Sequence, residues 1–452
     1  MKIFFRSIHL YLGLAAGLVI MTCCFTGAVL VFEKELQESF HHDRYYVKEQ
    51  NLHLPIQQLI SSVKQKFPAA KISSVKLYPN PERSVEIGVS LPEKGKDKSS
   101  TGAGRSQGGE AKESHERSKE NTPGKRSDQQ VEQKSEQKPD NEIKKAGQSK
   151  GIREKGKSPG SLAARATHTV FVNPYTGEIL ELYNYRETFF YTMFSLHRWL
   201  LGSDSSIGKT ITGISTLIFL FILITGIILW WPRNKAILKQ RLKIKSSASL
   251  KRLNHDLHIV LGFYSAIFLF IFAFTALAWS FKWFNDGIYK VTGSSQKPAE
   301  PVHSVFQPDK KRISYDSAFL AVSNIVTEAQ YYTLRVPGDS TGVFTATVLP
   351  LGAHESAADN YYIDQYSGQV IGSLKFQDKN LGQRVRSTFK PVHTGSIYGL
   401  PSKIIAFLVC LFGVSFPITG TIMWLNRLKK NKRKKVMAKK EFPVLVEEED
   451  YV

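Results

Sequence analysis

Ile8-His9-Leu10-Tyr11-Leu12-Gly13 opens the first apolar run of the chain and returns 249 positions later as Leu257-His258-Ile259-Val260-Leu261-Gly262. Each copy sets a histidine one turn before a glycine, at the mouth of a membrane-length segment. The same offset aligns Phe25-Thr26-Gly27 with Phe274-Thr275-Ala276, so the match extends through the whole segment and the chain contains a duplication. In a pseudo-symmetric bundle, two histidines at equal depth would face each other across one ligand.

The mean hydropathy of -0.20 would suit a soluble protein. That average hides four apolar runs, at 8–32, 207–231, 259–283 and 403–425, none with an acidic residue. Each is long enough to cross a hydrocarbon core about 30 Å thick. The expected fold is a membrane α-helical bundle of four transmembrane helices with a pseudo-twofold repeat. The first run is too long for the apolar part of a signal peptide and lacks an A-x-A-like site, so it is expected to remain as an anchor. Cys23, Cys24 and Cys410 all lie in the runs, which implies no disulfide framework.

Basic flanks set the orientation. The segment 233–252 holds Arg233, Lys235, Lys239, Arg241, Lys243, Lys245, Lys251 and Arg252 without an acid, and Arg427 to Lys435 is nearly all basic. Both are expected to be cytoplasmic, as is the amino terminus with Lys2 and Arg6. The protein then becomes a multi-pass bacterial inner-membrane protein with its soluble parts in the periplasm. The formal charge of +22 follows from this topology and from anionic lipid, and no nucleic-acid partner is needed.

The expected segments are helix 1 at 1–33, a periplasmic domain at 34–195, helix 2 at 196–232 and a basic loop at 233–254. Helix 3 at 255–283, a second periplasmic domain at 284–390, helix 4 at 391–426 and a tail at 427–452 complete the chain. In the first domain Ile56, Leu59, Ile60, Val63 and Phe67 have helical spacing, and 72–78 and 84–91 alternate like strands. Asn173-Pro174 and Thr176-Gly177 supply a turn between two further strands. The second domain has a helix at 314–325 and repeats the strand-turn-strand at 361–371, offset by 191. Both read as small α+β units. The stretch 93–160 has no aromatic residue and mixes charges of both signs, so it is expected to be a disordered insertion.

The repeat also sorts the histidines. His9 and His258 are equivalent and lie at the cytoplasmic ends of the first and third runs; His197 and His393, offset by 196, lie at the exported ends of the second and fourth. Ionisable groups in membrane segments tend to be functional, and bundle cofactors are held by facing helices. Two neutral imidazoles on one iron give a low-spin haem without an open position, which suits electron transfer. Gly13 and Gly262 leave room on the histidine face for a flat macrocycle. His255 shares a face with His258 and is an alternative ligand; the repeat favours His258, because the position equivalent to His255 is Arg6. Arg6 and Arg198 are candidate partners for haem propionates. Zinc is the competing metal, but two histidines per membrane face make a short ligand set for it.

His9-x-x-x-Gly13, Val172-Asn173-Pro174-Tyr175-Thr176-Gly177-Glu178-Ile179, Leu196-His197-Arg198, Ile224-Thr225-Gly226 with Trp230-Trp231-Pro232, Leu257-His258-x-x-x-Gly262 and Val392-His393-Thr394-Gly395 together resemble the PepSY-associated transmembrane family. That family includes iron-regulated inner-membrane proteins, among them ferric-siderophore reductases of the FoxB and PiuB type. The resemblance covers nearly the full length except 93–160 and the tail. It implies two PepSY-like periplasmic domains on a four-helix unit holding two b-type haems, the cytoplasmic-side haem on His9 and His258 and the periplasmic-side haem on His197 and His393. It further implies electron transfer to a periplasmic ferric siderophore or other ferric chelate, releasing Fe(II). No nicotinamide or flavin motif is present, so the electron donor would be separate, a quinol or a cytoplasmic reductase. The insertion in the first domain and Ala276, where the first copy has Gly27, depart from the pattern. The alternative is a membrane-anchored PepSY binding or protease-regulating module without redox activity.

Overall fold

The computed structural model describes residues 2–50, 52–92, 168–297 and 300–441; the insertion expected at 93–160 lies outside them. Helix α1 (Lys2–Val31) is followed by α2 (Glu33–Phe40), α3 (His42–Tyr45), α4 (Ile56–Lys66) and strands β1 (Lys71–Leu77), β2 (Val85–Ser90), β3 (His168–Val172) and β4 (Ile179–Tyr183). Then come α5 (Phe189–Trp199), α6 (Ile207–Trp230), α7 (Lys235–Arg241), α8 (Leu250–Asp256), a π-helical turn at Leu257–Leu261 and α9 (Gly262–Ser280). The remainder is α10 (Lys282–Val291), α11 (Tyr315–Ser323), β5 (Ala329–Arg335), β6 (Val343–Pro350), β7 (Asp359–Asp364), β8 (Val370–Leu374), α12 (Leu381–His393) and α13 (Leu400–Glu441).

Among the described residues, four helical stretches are long and apolar enough to cross a membrane: Lys2–Val31, Ile207–Trp230, Leu250–Ser280 and Leu400–Arg433. They close into a ring in which α1 packs on α6, α6 on α9, α9 on α13 and α13 back on α1. Every member contributes to one buried cluster, with Ala16, Ile20 and Cys24 from α1, Ile222 from α6, Leu269 from α9 and Val409 from α13.

Outside the bundle, the strands among the described residues form a single antiparallel sheet of order β4-β3-β2-β1-β5-β6-β7-β8. Sequence reading expected two separate small domains; instead β1 pairs with β5, Val75 opposite Leu334 and Leu77 opposite Tyr332. An unpaired β1 and an unpaired β5 would each have been an exposed edge, and pairing them removes both. Alternation puts one sheet face inward. In β6, Phe344, Ala346 and Val348 are buried while Thr345 and Thr347 are not. The buried face packs under α4 (Leu59, Ile60, Val63) and α11 (Ala318, Val322).

The two helices are joined at their amino-terminal ends: the Asp316 carboxylate in the first turn of α11 accepts from the amides of Ile56 (2.6 Å) and Gln57 (3.1 Å), the open donors at the start of α4. The β3–β4 and β7–β8 turns are built alike. The Asn173 side chain accepts from the Tyr175 amide and that of Asp364 from the Tyr366 amide, while Gly177 (φ 73°) and Gly368 (φ 74°) take the left-handed conformation each turn requires.

The stretch expected as one helix over 196–232 is two. After Trp199 the chain passes through Leu200 (φ 50°) and Leu201 (φ 66°), both left-handed, before α6 begins. Left-handed backbone is strained for leucine, and it breaks the helix where α5 must separate from α6. A similar break, through Gly395 and Gly399, separates α12 from α13. His197 and His393 therefore ride on short helices beside the ring.

Asp316→Ala should cost the sheet unit about 1–2 kcal/mol, the range for loss of a helix cap. Amide hydrogen exchange should speed up at Ile56 and Gln57, and unchanged protection there would exclude the cap as a stabilising contact.

Candidate functional site

Four histidines on four helical pieces form two facing pairs. His9 lies in the second turn of α1 and His258 in the π-helical turn; their ring centroids are 6.4 Å apart with planes at 84°. His197 ends α5 and His393 ends α12, with centroids 6.1 Å apart and planes at 66°.

Each ring is held by a threonine on a different helix. His9 Nδ1 lies 3.0 Å from Thr225 Oγ1, His258 Nδ1 2.8 Å from Thr419 Oγ1, His197 Nδ1 3.0 Å from Thr26 Oγ1 and His393 Nδ1 3.2 Å from Thr275 Oγ1. Three of the same nitrogens also reach a backbone carbonyl: Ile222 for His9 (3.1 Å), Cys23 for His197 (3.0 Å) and Phe272 for His393 (2.9 Å). The residue after each threonine is small. A Cβ at Gly226 or Gly420 would come 3.3 Å from Cε1 of His9 or His258, and at Gly27 it would come 3.4 Å from Cε1 of His197. The fourth such position is Ala276, facing the longest of the four threonine contacts.

A cavity of about 670 Å³, within the range of small-molecule and cofactor sites, opens beside the first pair. His9, His258, Gly13, Gly226, Gly262 and Gly420 line it, with Phe219, Phe263 and Phe416 among its apolar walls. The lining also includes Lys2, Arg6, Arg241 and Arg427 and no carboxylate.

Of the residues singled out from sequence, the structure brings together His9 with His258 and His197 with His393, and places Arg6 on the cavity wall. His255 also lines the cavity, but its Nδ1 turns to Asp256 (3.4 Å) and its side chain is about half exposed. Arg198 reaches Asp204 (3.4 Å) and lies over the Trp199 ring. A hydrogen bond from Lys209 holds the Asp204 carboxyl below its usual range. Among the described residues no cluster of three or more His, Cys, Asp or Glu could hold a metal ion.

Sequence reading missed the four threonines and the additional cations Lys2, Arg241 and Arg427. The signal for the threonines was present as a recurring word, Thr26-Gly27, Thr225-Gly226, Thr275-Ala276 and Thr419-Gly420, once in each membrane run. It served only as an alignment marker because a contact between helices leaves no local periodicity.

The sequence profile of the PepSY-associated TM region matches residues 6–427. No curated protein matches the chain.

Gly226→Val and Gly420→Val should each disturb the ring-nitrogen NMR signals of the histidine they face, His9 and His258 respectively. Gly13→Ala, where an added Cβ meets nothing within 4 Å, should leave all four rings unchanged. Equal disturbance by all three variants would contradict the direct contact.

Proposed function

The chain belongs to the PepSY-associated TM family, and on that premise we propose that it is a membrane electron-transfer protein of the ferric-siderophore reductase class. It holds two b-type haems, one between His9 and His258 and one between His197 and His393, in a pseudo-twofold arrangement. It reduces a ferric siderophore or other ferric chelate on the side of the membrane that carries the sheet.

The observation that carries this reading is the spacing of the two pairs. An imidazole nitrogen lies about 2.0–2.1 Å from a bound first-row metal, so two rings on opposite sides of one iron have centroids roughly 6 Å apart. The measured 6.4 and 6.1 Å agree with that value. The cavity beside the first pair fits the rest of the group: its glycines leave space free of side chains for a flat ring, and Phe219, Phe263 and Phe416 give it apolar walls. Arg6, with Lys2, Arg241 and Arg427, offers cations to the carboxylates such a ring carries. A bis-imidazole haem supplies a one-electron couple with no open position for oxygen chemistry.

The basic segment 233–252 and the basic tail flank the membrane end nearest His9 and His258, and by the positive-inside tendency they support an orientation with that end cytoplasmic and the sheet periplasmic in an inner membrane. One electron converts each Fe(III) to Fe(II), a softer ion that hard oxygen ligands hold less tightly, and the chelate lets go. The electron comes from a separate donor, a quinol or a cytoplasmic reductase.

Detergent-purified full-length protein should show reduced b-type bands with two haems per chain. His258→Ala and His393→Ala should each leave one, and His255→Ala should leave both. A colourless wild-type preparation would sink the reading in favour of an anchored binding module, and loss of a haem in His255→Ala would change the ligand assignment.

A further inference from the structure

The hydrogen bonds around the four histidines fix which ring nitrogen carries the proton. A backbone carbonyl can only accept, so Nδ1 of His9, His197 and His393 donates to Ile222, Cys23 and Phe272. The threonine hydroxyls lead to the same result. Each donates its own proton up its helix: Thr26 to the Thr22 carbonyl (2.7 Å), Thr225 to Phe221 (3.0 Å), Thr275 to Ile271 (2.8 Å) and Thr419 to Ser415 (2.8 Å). With its proton committed there, the oxygen can meet a histidine nitrogen only as an acceptor. All four rings therefore carry the proton on Nδ1 and a bare lone pair on Nε2, and among the described residues no hydrogen bond reaches any of the four Nε2 atoms.

We infer that Thr26, Thr225, Thr275 and Thr419 are positioning residues of the two iron sites, each accepting the Nδ1 proton of one histidine so that Nε2 faces the metal as a strengthened donor. This rests on the two-haem reading and adds to it what sets the ligands. An acceptor on the distal nitrogen gives the imidazole anionic character, raises its basicity and fixes its rotation about the metal bond. The more basic ligand favours the ferric ion, so these bonds lower the potential of the haem they serve.

The four sites are not equally buffered. His9, His197 and His393 each keep a carbonyl if the threonine is lost, whereas Thr419 is the acceptor found on His258. The effect of substitution should therefore be largest at Thr419.

The test is a spectroscopic redox titration of the full-length purified protein, in which wild type gives two one-electron waves. Thr419→Val should raise one wave by about 59 mV, which is a tenfold change in ferric over ferrous preference for one electron, and leave the other in place. Thr225→Val, acting on the same haem with the Ile222 carbonyl still in place, should raise that same wave by less. Thr419→Ser keeps the acceptor and should restore the wild-type potential; Thr419→Ala removes it without a branched methyl and should reproduce the valine shift. Haem affinity at that site should fall on the order of 10–100-fold in the Val and Ala variants. Haem-bearing variants that titrate like wild type would overturn the positioning role alone, as would a serine variant no better than valine, since packing would then explain the loss. A wild-type protein without haem would overturn the function on which the inference rests.

Discussion

A polar side chain inside a helix bundle surrounded by lipid has no water to turn to, so the protein must satisfy it or the bundle will not form around it. The four histidines meet this demand by pairing Nδ1 with threonine on another helix. His9 ties α1 to α6, His258 ties the third span to α13, His197 ties α5 to α1, and His393 ties α12 to α9. Interhelical hydrogen bonds in membranes contribute about 0.6 kcal/mol each on average. That is too little to assemble the ring, which rests on close packing of apolar faces. It is enough to select among registers that pack about equally well, because a slip of one residue would set the branched Thr225 side chain against the ring in place of Gly226. The same contacts that fix the register therefore also orient the histidine rings.

The sheet places a complementary constraint on the soluble side. Its two groups of strands are separated in sequence by two membrane crossings, yet they form one eight-stranded surface through β1 and β5. The Asp316 bond to the start of α4 ties the covering helices in the same way. The connections from the sheet to the histidine-bearing helices are short, 184–188 between β4 and α5 and 375–380 between β8 and α12, and Lys403 on α13 reaches Glu35 on α2 (2.6 Å). With so little slack, the sheet cannot turn far without moving the helix ends that carry His197 and His393.

Most of the membrane architecture could be read from the chain. The four spans show as apolar runs, and the histidine pairs show because both members of each pair stand in recurring words. The strand-turn-strand elements were legible through Asn173 to Gly177 and Asp364 to Gly368, where side-chain chemistry and a left-handed glycine are local properties. What was hidden is non-local. Two domains and one domain have the same strand pattern, and only the pairing of β1 with β5 distinguishes them. The break at Leu200 and Leu201 was hidden for a different reason: leucine favours a helix, and only tertiary packing holds it at positive φ.

The third span carries the least regular helix of the ring, and the irregularity falls on a functional candidate. In an uninterrupted α-helix His255 and His258 would share one face, three residues apart, and both would compete for the position opposite His9. The π-helical turn at Leu257–Leu261 widens the backbone there and changes which side of the helix each residue presents. His258 is directed between His9, Phe416 and Thr419, while His255 remains with Asp256 toward the cavity rim. A wide turn forfeits regular hydrogen bonding and persists only when its surroundings hold it, which is why such turns concentrate at functional sites. Here α13 holds it at two points: the Thr419 carbonyl accepts from Asn254 Nδ2 (3.0 Å) before the turn, and the Thr419 hydroxyl accepts from His258 within it. One residue of α13 thus fixes both the path of the third span and the orientation of its histidine.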